Sequence, residues 1–80
     1  MKQKFLIAVT NGGMIKFLNI AGDKKFIVND MQKAYLHNTY GECEEVLNLL
    51  QTLDDFEEEE GGDLLNDNLF FSIEKVFTLK

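Results

Sequence analysis

The stretch Lys4-Phe5-Leu6-Ile7-Ala8-Val9-Thr10-Asn11-Gly12-Gly13-Met14-Ile15-Lys16-Phe17-Leu18-Asn19-Ile20 decides the fold class of this chain. Its first half, Lys4 to Thr10, is apolar and β-branched, a composition that packs well on a pleated surface. It runs into Asn11-Gly12-Gly13, residues that accept the positive φ angles of a tight hairpin, so Met14 to Ile20 is predicted to return antiparallel. A second turn signal, Gly22-Asp23-Lys24, leads to the short run Phe26-Ile27-Val28. Three strands joined by tight turns make a meander.

Working outward, Asn29 and Asp30 predict a turn or a one-turn helix over Met31 to Lys33, while Ala34-Tyr35-Leu36-His37 fits a strand or a loop equally well. Thr39 and Glu42 then form a Thr-x-x-Glu capping box, in which each side chain satisfies a backbone N–H orphaned at a helix start. The helix is predicted from about Tyr40 to Leu53. Cys43, Val46, Leu47, Leu50 and Leu53 recur at i, i+3, i+4, i+7 spacing as one apolar stripe, and Glu44, Glu45 and Asn48 face away. From Leu69 to Leu79 the period returns to two. Leu69, Phe71, Ile73, Phe77 and Leu79 share one face, and Phe70, Ser72, Glu74, Val76 and Thr78 share the other. Lys75 interrupts the apolar face, marking a bulge, a side chain snorkelling at the sheet edge, or a turn between two shorter strands. The predicted fold is α+β: a mostly antiparallel sheet with one amphipathic helix packed on one face, in the order β-β-β-α-β.

Eighty residues supply one core, so residues 1–80 are read as a single domain. So small a domain buries a modest share of its surface, a shortage that a homodimer would relieve. No run approaches the roughly 20 apolar residues that span a bilayer, and Cys43 is the sole cysteine. The chain is therefore expected to be cytoplasmic, without a disulfide and without a membrane. Proline and arginine are absent, whereas lysine, asparagine, phenylalanine and isoleucine are plentiful. That bias fits AT-rich coding sequence, as in a low-GC bacterium or its phage.

No catalytic signature emerges. His37, the only histidine, has no partnered nucleophile and is read as a surface or interface residue. Cys43 lies near the helix start, but Glu42, Glu44 and Glu45 oppose thiolate formation and the apolar stripe claims the side chain as a buried, inert thiol. Asn11-Gly12-Gly13 leads into a strand and lacks the Lys-Ser/Thr of a phosphate-binding loop. Phe5, Phe17, Phe26, Phe70, Phe71 and Phe77 fall in strands and core packing explains most of them, so no direct nucleic-acid contact is expected. The chain is read as non-enzymatic, with no cofactor and no metal.

The distinctive feature is the segment 54–67 between the helix and the last strand, Asp54-Asp55-Phe56-Glu57-Glu58-Glu59-Glu60-Gly61-Gly62-Asp63-Leu64-Leu65-Asn66-Asp67. It holds eight of the fourteen acidic residues and no lysine. The rest of the chain has eight lysines against six acids, so the entire net charge of −6 belongs here. Such a run serves as a solvated loop that keeps a small protein soluble. It also suits a phosphate mimic: carboxylates in series occupy the lysine and arginine sites that another protein uses for a nucleic-acid backbone, gaining the same counterion release. The ligand spacing of a calcium-binding EF-hand loop is not met. The candidate partner-binding residues are Asp54, Asp55, Phe56, Glu57, Glu58, Glu59, Glu60, Asp63 and Asp67, with Glu44 and Glu45 extending the patch from the helix.

The stretch Asp30-Met31-Gln32-Lys33-Ala34-Tyr35-Leu36-His37-Asn38-Thr39, with Glu42 and Glu44-Glu45-Val46-Leu47-Asn48-Leu49-Leu50, resembles a segment of small phage-encoded acidic α+β proteins. There a KAxxF-T/S-xEEAxxVLxxL pattern joins a short strand to an amphipathic helix. The match covers about a quarter of the chain and departs from the pattern at Leu36-His37 and Cys43. The resemblance implies a phage-type inhibitor of host defence, of the anti-CRISPR kind. Its partner would be a basic nucleic-acid-binding host protein such as a CRISPR-Cas effector, met in the host cytoplasm. The alternative is a small structural or assembly protein that self-associates through its sheet, suggested by apolar residues on both faces of the last strand.

Overall fold

The computed structural model describes residues 2–50, 58–59 and 70–79. Its strands are β1 (Lys2–Asn11), β2 (Met14–Ala21), β3 (Lys24–Val28), β4 (Glu58–Glu59) and β5 (Phe70–Thr78), with a 3₁₀ turn at Met31–Lys33 and helix α1 at Tyr40–Leu49. They form one five-stranded sheet in the order β4-β3-β2-β1-β5. Every pairing is antiparallel except the short parallel contact of β4 with β3. The α+β class read from the sequence holds.

Two turns set the register of the meander. Gly12 and Gly13 both have positive φ, 57° and 88°, and Asn11 pairs with Met14 across them. Two consecutive positive angles are the type I′ pattern, whose twist matches that of the flanking strands. At the second turn only Gly22 is positive, at 68°, and Ala21 pairs with Lys24, as in a type II′ turn.

β1 is an inner strand between β2 and β5, and Phe5 to Val9 are all buried. Pairing places Phe5, Ile7 and Val9 on the face that also carries Leu18, Phe71 and Ile73. On this face Phe5, Ile7 and Leu18 pack with Cys43, Val46, Leu47 and Leu50 from α1 and its end. The opposite face carries Leu6, Ala8, Phe17 and Val76, covered in part by Ala34. Each large side chain fully removed from water here contributes roughly 1.5–3 kcal/mol, so the double burial of β1 is the main anchor of the fold.

The sheet is split between β1 and β2. They pair only from Ala8↔Phe17 to Asn11↔Met14, after which β2 continues with β3 and β1 with β5. The segment Tyr35 to His37 fills the gap. Tyr35 N–H donates to the Leu18 carbonyl (2.9 Å), His37 N–H to the Phe5 carbonyl (2.7 Å), and Phe5 N–H to the His37 carbonyl (2.9 Å). The stretch that fitted strand or loop equally is thus a single bridge, Phe5↔His37, wedged between two diverging strands. It satisfies backbone groups that the split would otherwise orphan.

The structure sharpens three expectations. α1 ends at Leu49 rather than near Leu53: Leu50 turns to extended backbone, its N–H bonds the Leu47 carbonyl (3.2 Å), and its side chain is buried in the core. Core burial of Leu50 thus wins over continued helix, and Leu53 lies outside the described residues. Lys75 neither bulges nor divides the last strand; β5 runs unbroken from Phe70 opposite Thr10 to Thr78 opposite Lys2, and Lys75 is exposed opposite Phe5 at the sheet edge. Inside the acidic segment, Glu58 and Glu59 form a short strand opposite Phe26 and Ile27.

Candidate functional site

Of the acidic residues singled out from the sequence, Glu58 and Glu59 place their backbone against β3, which ties the segment to that edge of the sheet. Asp54, Asp55, Phe56, Glu57, Glu60, Asp63 and Asp67 lie outside the described residues. Glu44 and Glu45 are exposed on α1, whose buried side holds Cys43. Both are therefore available to solvent, as the helical spacing predicted.

Glu42, by contrast, is committed to structure. Its Oε2 accepts from the backbone N–H of Asn38 (2.8 Å) and of Thr39 (2.9 Å), while Thr39 Oγ1 accepts from Glu42 N–H (3.1 Å). The capping box is complete, and it fixes where the helix begins relative to the wedge. Asp30 caps the 3₁₀ turn in the same manner, accepting from Gln32 N–H (2.9 Å). Lys4 Nζ donates to Asn38 Oδ1, tying β1 to the residue before the helix cap.

Two buried polar side chains escaped the sequence reading. His37 is 6 % exposed, not a surface histidine. Its backbone pairs with Phe5, which draws the ring inward, where it packs at 4.7 Å from Tyr35. Phe5 meets Tyr40 of α1 edge-on at 6.1 Å. His37 Nε2 has no hydrogen-bond partner. Burial lowers the His37 pKa from its ordinary value, with the Glu42 carboxylate opposing the shift. Lys16, 3 % exposed, shares the helix-side face with Val9 and Leu18. The signal for it was present: Lys16 alternates in phase with Leu18 and Ile20.

Cys43 is fully buried, as its place in the apolar stripe predicted. Its pKa is raised, first by burial and then by the Glu42 carboxylate, so the thiol stays protonated. Among the described residues no three His, Cys, Asp or Glu side chains converge to hold a metal ion. Nor is any described helix long and apolar enough to cross a membrane.

Among the described residues, a groove of about 390 Å³ lies on the sheet face away from α1, lined chiefly by Leu6, Ala8, Ile15, Phe17, Met31 and Val76, and a wider one of about 890 Å³ is lined by Lys4, Gln32, Leu36, Thr78 and Leu79. The lining of the first is mainly apolar, with Thr10, Ser72, Glu74 and Lys75 as the polar members. Compared with protein family models, with curated proteins and with solved structures, the chain finds no significant match.

Proposed function

We propose that this chain is a non-enzymatic, phage-type inhibitor, of the anti-CRISPR kind, that binds a basic nucleic-acid-handling host protein such as a CRISPR-Cas effector. The observation that carries the reading is the charge asymmetry: eight acids and no lysine in 54–67, on a body that is otherwise slightly positive. A strand pairing at Glu58–Glu59 supports it, because a run attached to the sheet is presented from a fixed base rather than from a free tail. The exposed carboxylates Glu44 and Glu45 add charge from the helix. Such a field steers a basic partner from a distance and displaces its counterions on contact.

The test is capture from a host lysate followed by competition. A tagged chain should retain a basic protein that rising salt elutes and that duplex DNA or RNA displaces. Replacing Glu57, Glu58, Glu59 and Glu60 together by alanine should abolish capture. Retention that ignores both salt and nucleic acid, or that survives the fourfold substitution, would end the proposal.

A further inference from the structure

We propose that the sheet face away from α1 is a self-association surface, and that its occupant is a second copy of this chain packed sheet on sheet about a two-fold axis. This goes beyond the inhibitor reading and does not depend on it.

The register defines the face row by row. Phe70, Thr10 and Ile15 stand side by side across β5, β1 and β2, and Ser72, Ala8 and Phe17 form the next row. Ala34 covers Leu6 and Ala8, but the hairpin end of the face is open. There Ile15 is 63 % exposed and Phe70 70 %, with Met31 of the 3₁₀ turn, 55 % exposed, at the groove wall. Taking roughly 200 Å² for a large side chain, these three leave about 400 Å² of apolar surface to water. With the half-buried Thr10, Phe17 and Val76 beside them, each copy offers about 500 Å², and two copies together just reach the ~1,000 Å² that a specific interface needs.

Charge selects the occupant. The chain carries −6 overall, yet on this face β1 and β5 set Lys2 and Lys4 beside Glu74, while Lys75 stands opposite Phe5 on the helix side. Two such faces are of mixed charge, and a two-fold arrangement offers each Glu74 a lysine from the other copy. A strongly basic partner meets, on β1 and β5 of this face, two lysines beside a single carboxylate. Sheets packed in this way lie about 10 Å apart with interdigitated side chains, which suits a shallow apolar groove rimmed by Ile15, Met31 and Phe70. The area is at the lower limit, so the expected dissociation constant is roughly 1–100 µM.

The experiment is sedimentation velocity on the full chain from about 5 to about 500 µM, in low and in high salt. A shift from the 9.2 kDa monomer to twice that mass, undiminished by salt, is expected. Ile15→Glu should hold the chain monomeric while leaving its circular dichroism melt at low concentration unchanged. If that variant fails to fold, Met31→Glu, outside the sheet, takes its place. Phe77→Asp, on the opposite face of β5, should still dimerise. A wild-type chain monomeric throughout overturns the proposal, as does a dimer that survives Ile15→Glu but is lost in Phe77→Asp, which would mean edge pairing. Loss of the captured basic protein in the Ile15→Glu variant of a monomeric chain would assign the face to that protein and also overturn it. Salt-sensitive capture that persists in Ile15→Glu leaves the inhibitor reading standing whatever becomes of the dimer.

Discussion

Replacing His37 by phenylalanine should stabilise this protein and remove an acid sensitivity built into the split sheet. The three hydrogen bonds that hold the wedge, between Tyr35 and Leu18 and between His37 and Phe5, are all backbone to backbone, so the substitution leaves them in place. The packing against Tyr35 also survives, since phenylalanine keeps an aromatic ring. Both ring nitrogens are removed, and of them Nε2 is a buried polar atom with no partner, which costs the folded state about 1–3 kcal/mol. Phenylalanine is slightly larger, and overpacking returns about 1 kcal/mol of that gain. The net expectation is about 1 kcal/mol at neutral pH, a melting temperature higher by roughly 4–8 °C for a domain of this size. The pH dependence has a definite sign. The folded His37 pKa lies below the ordinary 6.5, mainly through burial. Below 6.5 the unfolded chain therefore takes up a proton that the folded chain refuses. Wild-type stability contributed by the neutral imidazole is present above that value and is lost as pH falls toward the folded pKa. Thermal melts followed by circular dichroism from about pH 8 to about pH 5 read both effects, with the gap between variant and wild type widening toward acid. A variant that melts lower at neutral pH, or that keeps the wild-type slope, would refute the account of Nε2 as an unpaired, uncharged atom.

Thr39→Ala should cost about 1 kcal/mol by opening the capping box, with α1 fraying from its start in amide exchange while β1 to β3 stay protected. Gly41→Ala should raise stability by up to about 1 kcal/mol in a denaturant titration, because the position is helical, exposed and not at positive φ, and the added methyl meets only Thr39 Oγ1 at an ordinary 3.9 Å. Gly13→Val should cost at least about 1–2 kcal/mol in the same titration although nothing lies within 4 Å of its new Cβ, since the penalty is the 88° φ itself.

The parts of the fold that depend on near neighbours were legible in the residues. Positive-φ turns at Gly12-Gly13 and Gly22, the Thr39 and Glu42 capping box, and the period-two pattern of β5 each follow from contacts within a few positions. What was not legible depends on partners distant in sequence. No local pattern says that Tyr35 to His37 will enter a gap between Phe5 and Leu18, because that gap exists only after β1 and β2 have parted toward different neighbours. His37 was misplaced for the same reason: histidine is intermediate in burial preference, and the Phe5 pairing decided it. The end of α1 was set late as helix propensity yielded to core burial of Leu50. Of the candidate site, the exposure of Glu44 and Glu45 followed from helical spacing, whereas the pairing of Glu58–Glu59 with β3 ran against the strand preference of glutamate and had no signal.

The two proposed surfaces make different demands on the same small body, and the sheet order separates them. β4, where the acidic segment meets the sheet, lies beyond β3 at one edge, while the open groove spans β2, β1 and β5 toward the other. Self-association through the groove therefore leaves the β4 edge of each copy uncovered, so that a dimer carries two acidic segments on one particle. Joining two weak contacts in this way raises apparent affinity without any new interaction, provided that the partner offers basic surface at both places. A nucleic-acid-binding groove does so by its nature, because it is lined with positive charge along the length of the strand it holds. In the proposed dimer, a domain whose core is small would gain stability from the same contact that doubles its charge, so one apolar face would serve both ends.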